Sequence, residues 1–211
     1  MEDLKKIILE ELNSKIADYK ENVDSYGEKI KNPKKFFNEL STWGGTSARA
    51  PIRKRAKINF LLNYTKTNQI TTPQYMKEQE EQLKLLDKAF EKIKQKKDYQ
   101  EKLFQELSDS VVAYERAIKY IKIMFSNSDE FTNDLDGRDI CEILLKELKG
   151  KKGVSEFKKR VEKTDNELKK HAPKLLKIFY GYYEDGGWDY YPKSYWWRHL
   201  KEFVKEKGEK S

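Results

Sequence analysis

The sequence has very little of what disulfide-rich, zinc-binding and membrane proteins need. Its 211 residues include one cysteine, Cys141, and two histidines, His171 and His199. A single cysteine excludes an internal disulfide, and one cysteine with two histidines is too few for an ordinary structural zinc site. No run approaches the roughly 20 apolar residues of a membrane helix, and the charged N-terminus lacks the apolar segment of a signal peptide. These absences predict an intracellular, cytoplasmic protein with no membrane partner and no cofactor.

Apolar residues recur every three or four positions along most of the chain, as they do on one face of an amphipathic helix. The first such stripe lies within residues 3–31 and includes Leu12, Ile16, Tyr19 and Val23. The same spacing, together with Pro, Gly and polar breaks, predicts further helices over 33–40, 51–66, 73–97, 99–125, 138–149, 155–171, 173–183 and 194–207. No segment alternates as a strand does. The sequence therefore predicts an all-α fold, a bundle of long amphipathic helices with a smaller aromatic-rich C-terminal helical part.

The polar, acidic segment SNSDEFTNDLDG is the clearest interruption of this pattern. It predicts a helical bundle with a basic helix over 1–126, an acidic linker over 127–137 and a C-terminal helical subdomain over 138–211. Alignment of its glycine with that of a calcium-binding loop puts Ile143 where a bidentate carboxylate is required. No metal is therefore expected, and Asp136 and Asp139 are interpreted as the start of a helix. Cys141 falls in an apolar helical pattern, which predicts a buried thiol.

The strongest local charge lies in ARAPIRKRAK and the residues that follow it. Between positions 49 and 66 there are six basic residues and no acidic one. A helix projects Arg53 and Lys57 together, and Arg49 falls near the unpaired N–H groups of the helix start, where anions bind. The pattern predicts a phosphate-binding ledge formed by Arg49, Arg53, Lys54, Arg55 and Lys57. The alternative is a basic face that pairs with acidic helices elsewhere in the bundle.

Aromatic residues are concentrated near the C-terminus. Between positions 179 and 197, ten of nineteen residues are Phe, Tyr or Trp, whereas the whole chain has 27. Rings of this kind hold together a small core or offer stacking surfaces to the bases of single-stranded nucleic acid. The second interpretation assigns nucleic-acid contacts to Lys193, Trp196, Trp197, Arg198 and His199. We expect a mixed outcome, in which some rings form a core and one or two near Gly186 and Gly187 are exposed.

Two segments carry a resemblance to a known family. The stretch RAPIRKRAKINFLLNYTK and the later helix VVAYERAIKYIKIMF resemble the small helical subunits of type III CRISPR effector complexes, which act in antiviral defence. The resemblance covers residues 1–125. It implies a non-catalytic protein that stacks along a guide–target duplex and holds backbone phosphates with Arg49, Arg53, Arg55 and Lys57. The acidic segment and the aromatic C-terminal part depart from the pattern of that family.

These observations favour a non-enzymatic nucleic-acid-binding protein, whose partners are RNA or single-stranded DNA and the other protein subunits of a ribonucleoprotein or DNA-processing assembly. The alternative is a protein–protein adaptor, or an inhibitor from a mobile element, that uses an exposed Tyr/Trp patch. A third class, a helical nuclease using His199 or the acidic segment, has no nucleophile or acid–base pair at a recognisable spacing. No residue is therefore assigned a catalytic role.

Overall fold

The structure is a computed structural model that describes residues 2–32, 36, 47–120, 128–178 and 189–208. These residues contain seven α-helices, one short 3-10 helix at Trp196–Arg198 and no strand, so the all-α prediction is confirmed. The α-helices are α1 (Glu2–Lys29), α2 (Arg49–Thr67), α3 (Pro73–Lys94), α4 (Lys97–Tyr120), α5 (Ser128–Glu147), α6 (Val154–Ile178) and α7 (Leu200–Gly208). Within these ranges, no helix has both the length and the hydropathy needed to cross a membrane. The predicted helix over 33–40 lies outside the described residues apart from Phe36.

The contacts within the chain divide it into two units, residues 1–106 and 107–211. The division falls inside α4, so this helix contributes residues to both units. The sequence had placed a linker at 127–137, but residues 128–137 belong to α5. The acidic, polar composition of this segment is typical of a loop, and this is why the sequence predicted a linker. Leu135 within the segment and Ile140 just after it are nevertheless buried. A buried apolar face is what stabilises most helices in proteins.

The first unit forms its core from the predicted stripe of α1. Leu12, Ile16 and Tyr19 are all at least 96% buried. The ring of Phe90 on α3 packs edge-to-face against Tyr19 at 6.1 Å and against Tyr99 on α4 at 5.9 Å, an arrangement that aromatic quadrupoles favour. At the start of α3, the hydroxyl of Thr72 accepts a hydrogen bond from the backbone N–H of residue 75, as an N-cap does.

The second unit differs from the sequence prediction at α6. Two helices were predicted, over 155–171 and 173–183, but α6 runs without a break from Val154 to Ile178 and contains Pro173. A proline removes one backbone hydrogen bond and usually ends or kinks a helix. Here the proline is exposed, while Ala172 and Leu175 beside it are completely buried. Burial of the apolar stripe on both sides of the proline therefore offsets the lost bond.

Candidate functional site

A basic cleft of about 410 Å³ lies between α1 and α2 in the first unit. Among the residues that the structure describes, five basic side chains and one acidic side chain line it, together with Asn22, Ser47 and Ala50. The basic residues are Lys15, Arg49, Arg53, Lys54 and Lys57, and the acidic one is Asp18. A concave surface that gathers charge of one sign concentrates the electric field and attracts ions of the opposite sign. The cleft therefore suits a phosphate-bearing ligand.

The two walls of the cleft follow from helical spacing. Arg53 and Lys57 are four residues apart on α2, and Lys15 and Asn22 are seven apart on α1, so each pair shares a face of its helix. Lys15 is half-buried and has no ion-pair partner among the residues that the structure describes. Sequence reasoning missed Lys15 and Asn22, because only the packing of α1 against α2 brings them beside the basic run. Their position next to the buried Ile16 and Val23 was the available signal.

The N-terminus of α2 is already occupied by a carboxylate of the protein. Glu106, which is 1% exposed, accepts hydrogen bonds from the backbone N–H groups of Ala48 at 2.7 Å and Arg49 at 3.0 Å. Its Oε2 also lies 3.8 Å from the Nε of Arg49. The expectation that these N–H groups would bind a ligand phosphate is therefore wrong. The helix start does attract an anion, but that anion is the side chain of α4.

Two tyrosines fix the segment that leads into α2. The hydroxyl of Tyr26 donates a hydrogen bond of 2.6 Å to the carbonyl oxygen of Ser47, and the hydroxyl of Tyr99 donates to that of Ala48. Burial, and next the negative charge of Glu106, raise the pKa of Tyr26 well above its ordinary value, so this hydroxyl stays a donor at neutral pH. The edge of the cleft at Ser47 and Arg49 is thus held by buried groups.

Two of the predicted ledge residues serve the protein's own packing. Arg55 forms three hydrogen bonds of 2.8–2.9 Å to both carboxylate oxygens of Asp87, which also accepts the hydroxyl of Tyr19. The Nζ of Lys54 lies 3.6 Å from a carboxylate oxygen of Asp18. The alternative of a basic face paired with acidic helices therefore describes Arg55, and in part Lys54, better than a phosphate ledge does. Arg53 and Lys57 remain in the lining of the cleft.

Two of the predicted C-terminal contacts are buried. Trp197 and Arg198 are each 1% exposed, so neither can reach a nucleic acid in this structure. The indole Nε1 of Trp197 donates a 2.7 Å hydrogen bond to Asp139, and the guanidinium of Arg198 binds the carboxylates of Asp136 and Asp139. Asp136 and Asp139 therefore hold the C-terminal segment against α5 instead of starting a helix. Burial also confirms the core interpretation for Tyr191 and Tyr195.

A second buried arginine completes this network in the second unit. Arg138 donates two hydrogen bonds to Asp165, at 2.8 and 2.9 Å, and its guanidinium lies 3.9 Å from the ring centre of Trp197. Burial acts to lower the pKa of Arg138, but the hydrogen bonds and charge of Asp165 raise it above its ordinary value. Both arginines are therefore permanently charged and matched by carboxylates, which is the condition under which buried charge is tolerated.

The remaining C-terminal candidates are partly or fully accessible. Trp196 is half-buried and packs on Phe203, with the ammonium of Lys169 5.0 Å from its ring centre. His199 is also half-buried, and its Nε2 lies 3.0 Å from the carbonyl oxygen of Tyr191, so this nitrogen is a donor. The Nζ of Lys193 is 3.6 Å from a carboxylate oxygen of Glu202. The assignment of these three residues to nucleic-acid contacts stays a prediction. Gly186 and Gly187, with the aromatic rings between positions 179 and 188, lie outside the described residues.

The described residues contain no group of three or more His, Cys, Asp or Glu side chains that could hold a metal ion. Cys141 is completely buried, which confirms the prediction for its thiol. Comparison with protein-family models, with curated proteins and with solved structures finds no match to this chain. The resemblance of residues 1–125 to small CRISPR effector subunits therefore stays a prediction from the sequence.

Proposed function

We propose that this protein is a non-enzymatic nucleic-acid-binding protein that holds backbone phosphates in the basic cleft of its first unit. The observation that carries the proposal is the lining of the cleft, where five basic side chains face one acidic one. Phosphate contacts dominate the affinity of proteins that bind nucleic acid without sequence preference. The resemblance to CRISPR effector subunits supports a place in a ribonucleoprotein. A DNA-processing assembly would present backbone phosphates of the same kind to the cleft.

The shape of the cleft favours a single strand. A volume of about 410 Å³ is that of a small-ligand cleft, which is too small to enclose a duplex. Arg53 and Lys57 would contact phosphate from α2, and Lys15 would contact it from α1. The proposal assigns no contact to Trp197, Arg198 or Arg55, whose partners lie within the protein. The adaptor alternative loses Trp197, which is buried, and part of Trp196, which is half-buried, while the rings between positions 179 and 188 lie outside the described residues.

The proposal is tested by fluorescence anisotropy with labelled single-stranded RNA, single-stranded DNA and duplex over a series of salt concentrations. We expect Arg53→Ala/Lys57→Ala to weaken single-strand binding about 5- to 20-fold near physiological salt. The slope of log K against log salt should also become shallower by about 1.4, because each single-strand phosphate contact contributes about 0.7.

The matched control is Lys6→Ala/Lys97→Ala. It removes the same charge from exposed lysines of the first unit, each of which lies within 4.0 Å of a glutamate one turn away. Its affinity should stay within about twofold of wild type, because exposed pairs on helices contribute little. Equal losses in the two double variants, or no salt-sensitive binding by the wild type, would contradict the proposal.

Asp18 supplies the opposite test. It is the one acidic side chain among the described residues that line the cleft, so Asp18→Asn is expected to tighten single-strand binding about threefold or more at low salt. The substitution preserves the shape of the side chain and frees Lys54 from a charged partner 3.6 Å away. The gain should shrink as salt is added. An unchanged or weaker affinity at low salt would show that the strand does not enter this cleft.

A further inference from the structure

A second cationic surface lies in the turn between α5 and α6, in the sequence KGKKG at residues 149–153. The turn is a defined structure. Gly150 and Gly153 have φ values of +86° and +89°, which side-chain-bearing residues rarely adopt, and the N–H of Lys151 donates to the carbonyl oxygen of Leu148 at 3.0 Å. Leu148 and Val154 on either side are buried, at 1% and 6% exposure. Because the residues at both ends of the turn are buried, the three lysines between them face solvent. We call this surface the lysine turn.

The described residues place no acidic partner against the charges of the lysine turn. Lys149, Lys151 and Lys152 are exposed, and none has an ion pair or hydrogen bond from its side chain within the part of the chain that the structure describes. Two lysines on the adjoining helices do have acidic partners, since Lys146 lies 3.1 Å from Glu142 and Lys158 lies 3.7 Å from Glu162. No acidic residue occurs between positions 147 and 156. Within the described residues the turn is therefore a concentrated positive surface, which attracts anions from outside the protein.

The composition of the turn decides which anionic partner fits it. Protein partners are usually held by aromatic, arginine or large apolar anchors, and membrane surfaces take apolar side chains along with the charge. The turn offers only lysine and glycine. Lysine ammonium groups on flexible stems act as point charges, which suits the irregularly placed phosphates of a single strand.

We infer that the lysine turn is a second, sequence-independent phosphate contact for the nucleic-acid strand held by the basic cleft. The inference rests on the proposed function. When two weak contact sites on one protein bind the same strand, the second binding event is intramolecular. The affinity for that strand therefore rises without any new type of interaction. A strand that contacts both surfaces gains affinity from the turn, whereas a strand that contacts only the cleft does not.

The test compares Lys149→Ala/Lys151→Ala/Lys152→Ala with wild type, using labelled RNA of about 5 and about 40 nucleotides. We expect the triple variant to bind the long RNA about 3- to 10-fold more weakly, with a salt slope shallower by about 2. The short RNA offers fewer phosphates for a second contact, so its affinity should fall less than that of the long RNA. The matched control is Lys97→Ala/Lys158→Ala/Lys170→Ala, three exposed lysines that each lie within 4.0 Å of a glutamate. Unchanged circular dichroism verifies that each variant folds.

The outcomes separate this inference from the proposed function. Failure of the wild type to bind any nucleic acid would remove both. Binding that depends on Arg53 and Lys57, with equal affinities for the lysine-turn variant and its control, would overturn the second contact alone. A parallel measurement uses vesicles with anionic headgroups. Loss of vesicle binding in the lysine-turn variant, with long-RNA affinity unchanged, would assign the turn to a membrane surface and overturn the inference.

Discussion

Replacement of Asp139 by alanine is expected to lower the free energy of unfolding of the second unit by about 3 to 5 kcal/mol. The side chain of Asp139 is 4% exposed, and it accepts hydrogen bonds from Trp197 and Arg198. Its removal takes away one of the two carboxylates that bind the buried guanidinium of Arg198. It also leaves the indole N–H of Trp197 without this acceptor. Urea unfolding followed by tryptophan fluorescence and circular dichroism measures the loss.

Two further variants make this prediction specific. Asp136 also binds Arg198, but its side chain is 31% exposed, so water can replace it and Asp136→Ala should cost less than half as much. The double variant Asp139→Leu/Arg198→Met removes both charges and keeps the volume filled, and should recover much of the stability. If Asp139→Ala costs under about 1 kcal/mol, or no more than Asp136→Ala, the carboxylate does not anchor the C-terminal segment.

Replacement of Glu106 by alanine is expected to destabilise the first unit by about 2 to 5 kcal/mol. The carboxylate accepts two backbone N–H groups at the start of α2 and lies 3.8 Å from the Nε of Arg49. Without it, the N–H of Ala48, a completely buried residue, loses its acceptor. The thermal midpoint followed by circular dichroism should fall accordingly. Glu106→Gln keeps one acceptor oxygen and should lose about half as much.

The same variant tests why Glu106 is there. A helix start from which the carboxylate has been removed becomes a site for small anions. Added phosphate should therefore raise the thermal midpoint of Glu106→Ala more than that of the wild type, in which the position is filled. Single-strand affinity should also fall, since Arg49 and Ser47 line the cleft beside this contact. Equal responses of the two proteins to phosphate would show that the helix start is closed to anions for another reason.

The fold was largely predictable from local signals. The stripe of α1 and the start of α3 at Pro73 depend on residues within a few positions of one another, and the structure confirms both. The prediction failed at Pro173 and at residues 128–137, where a helix-breaking residue and an acidic composition argued for interruptions. Both segments are helical because their apolar residues are buried against other parts of the fold. The local composition of a segment does not show whether such burial occurs.

The candidate site was predictable only in part. The acid-free run correctly drew attention to α2, and Arg53 and Lys57 do line a basic cleft. The sequence did not show which basic side chains are bound to carboxylates elsewhere in the chain. Arg55 is bound to Asp87, 32 residues further along the chain, and Arg198 is bound to Asp139, 59 residues away. Counting charges in a window cannot detect such pairs.

The sequence by itself determined that the chain is all-α, that Cys141 is buried and that its strongest run of positive charge lies near the start of α2. These properties follow from residue type and from spacings of three or four, which a helix converts directly into faces. Only the tertiary structure decided that Glu106 fills the N-terminus of α2 and that Trp197 and Arg198 are core residues. It also decided that Lys15 joins the cleft and that the lysine turn has no ion pair with the described part of the chain. Ion pairing and burial depend on which helices meet, because the energy of a charge is set by its neighbours in space.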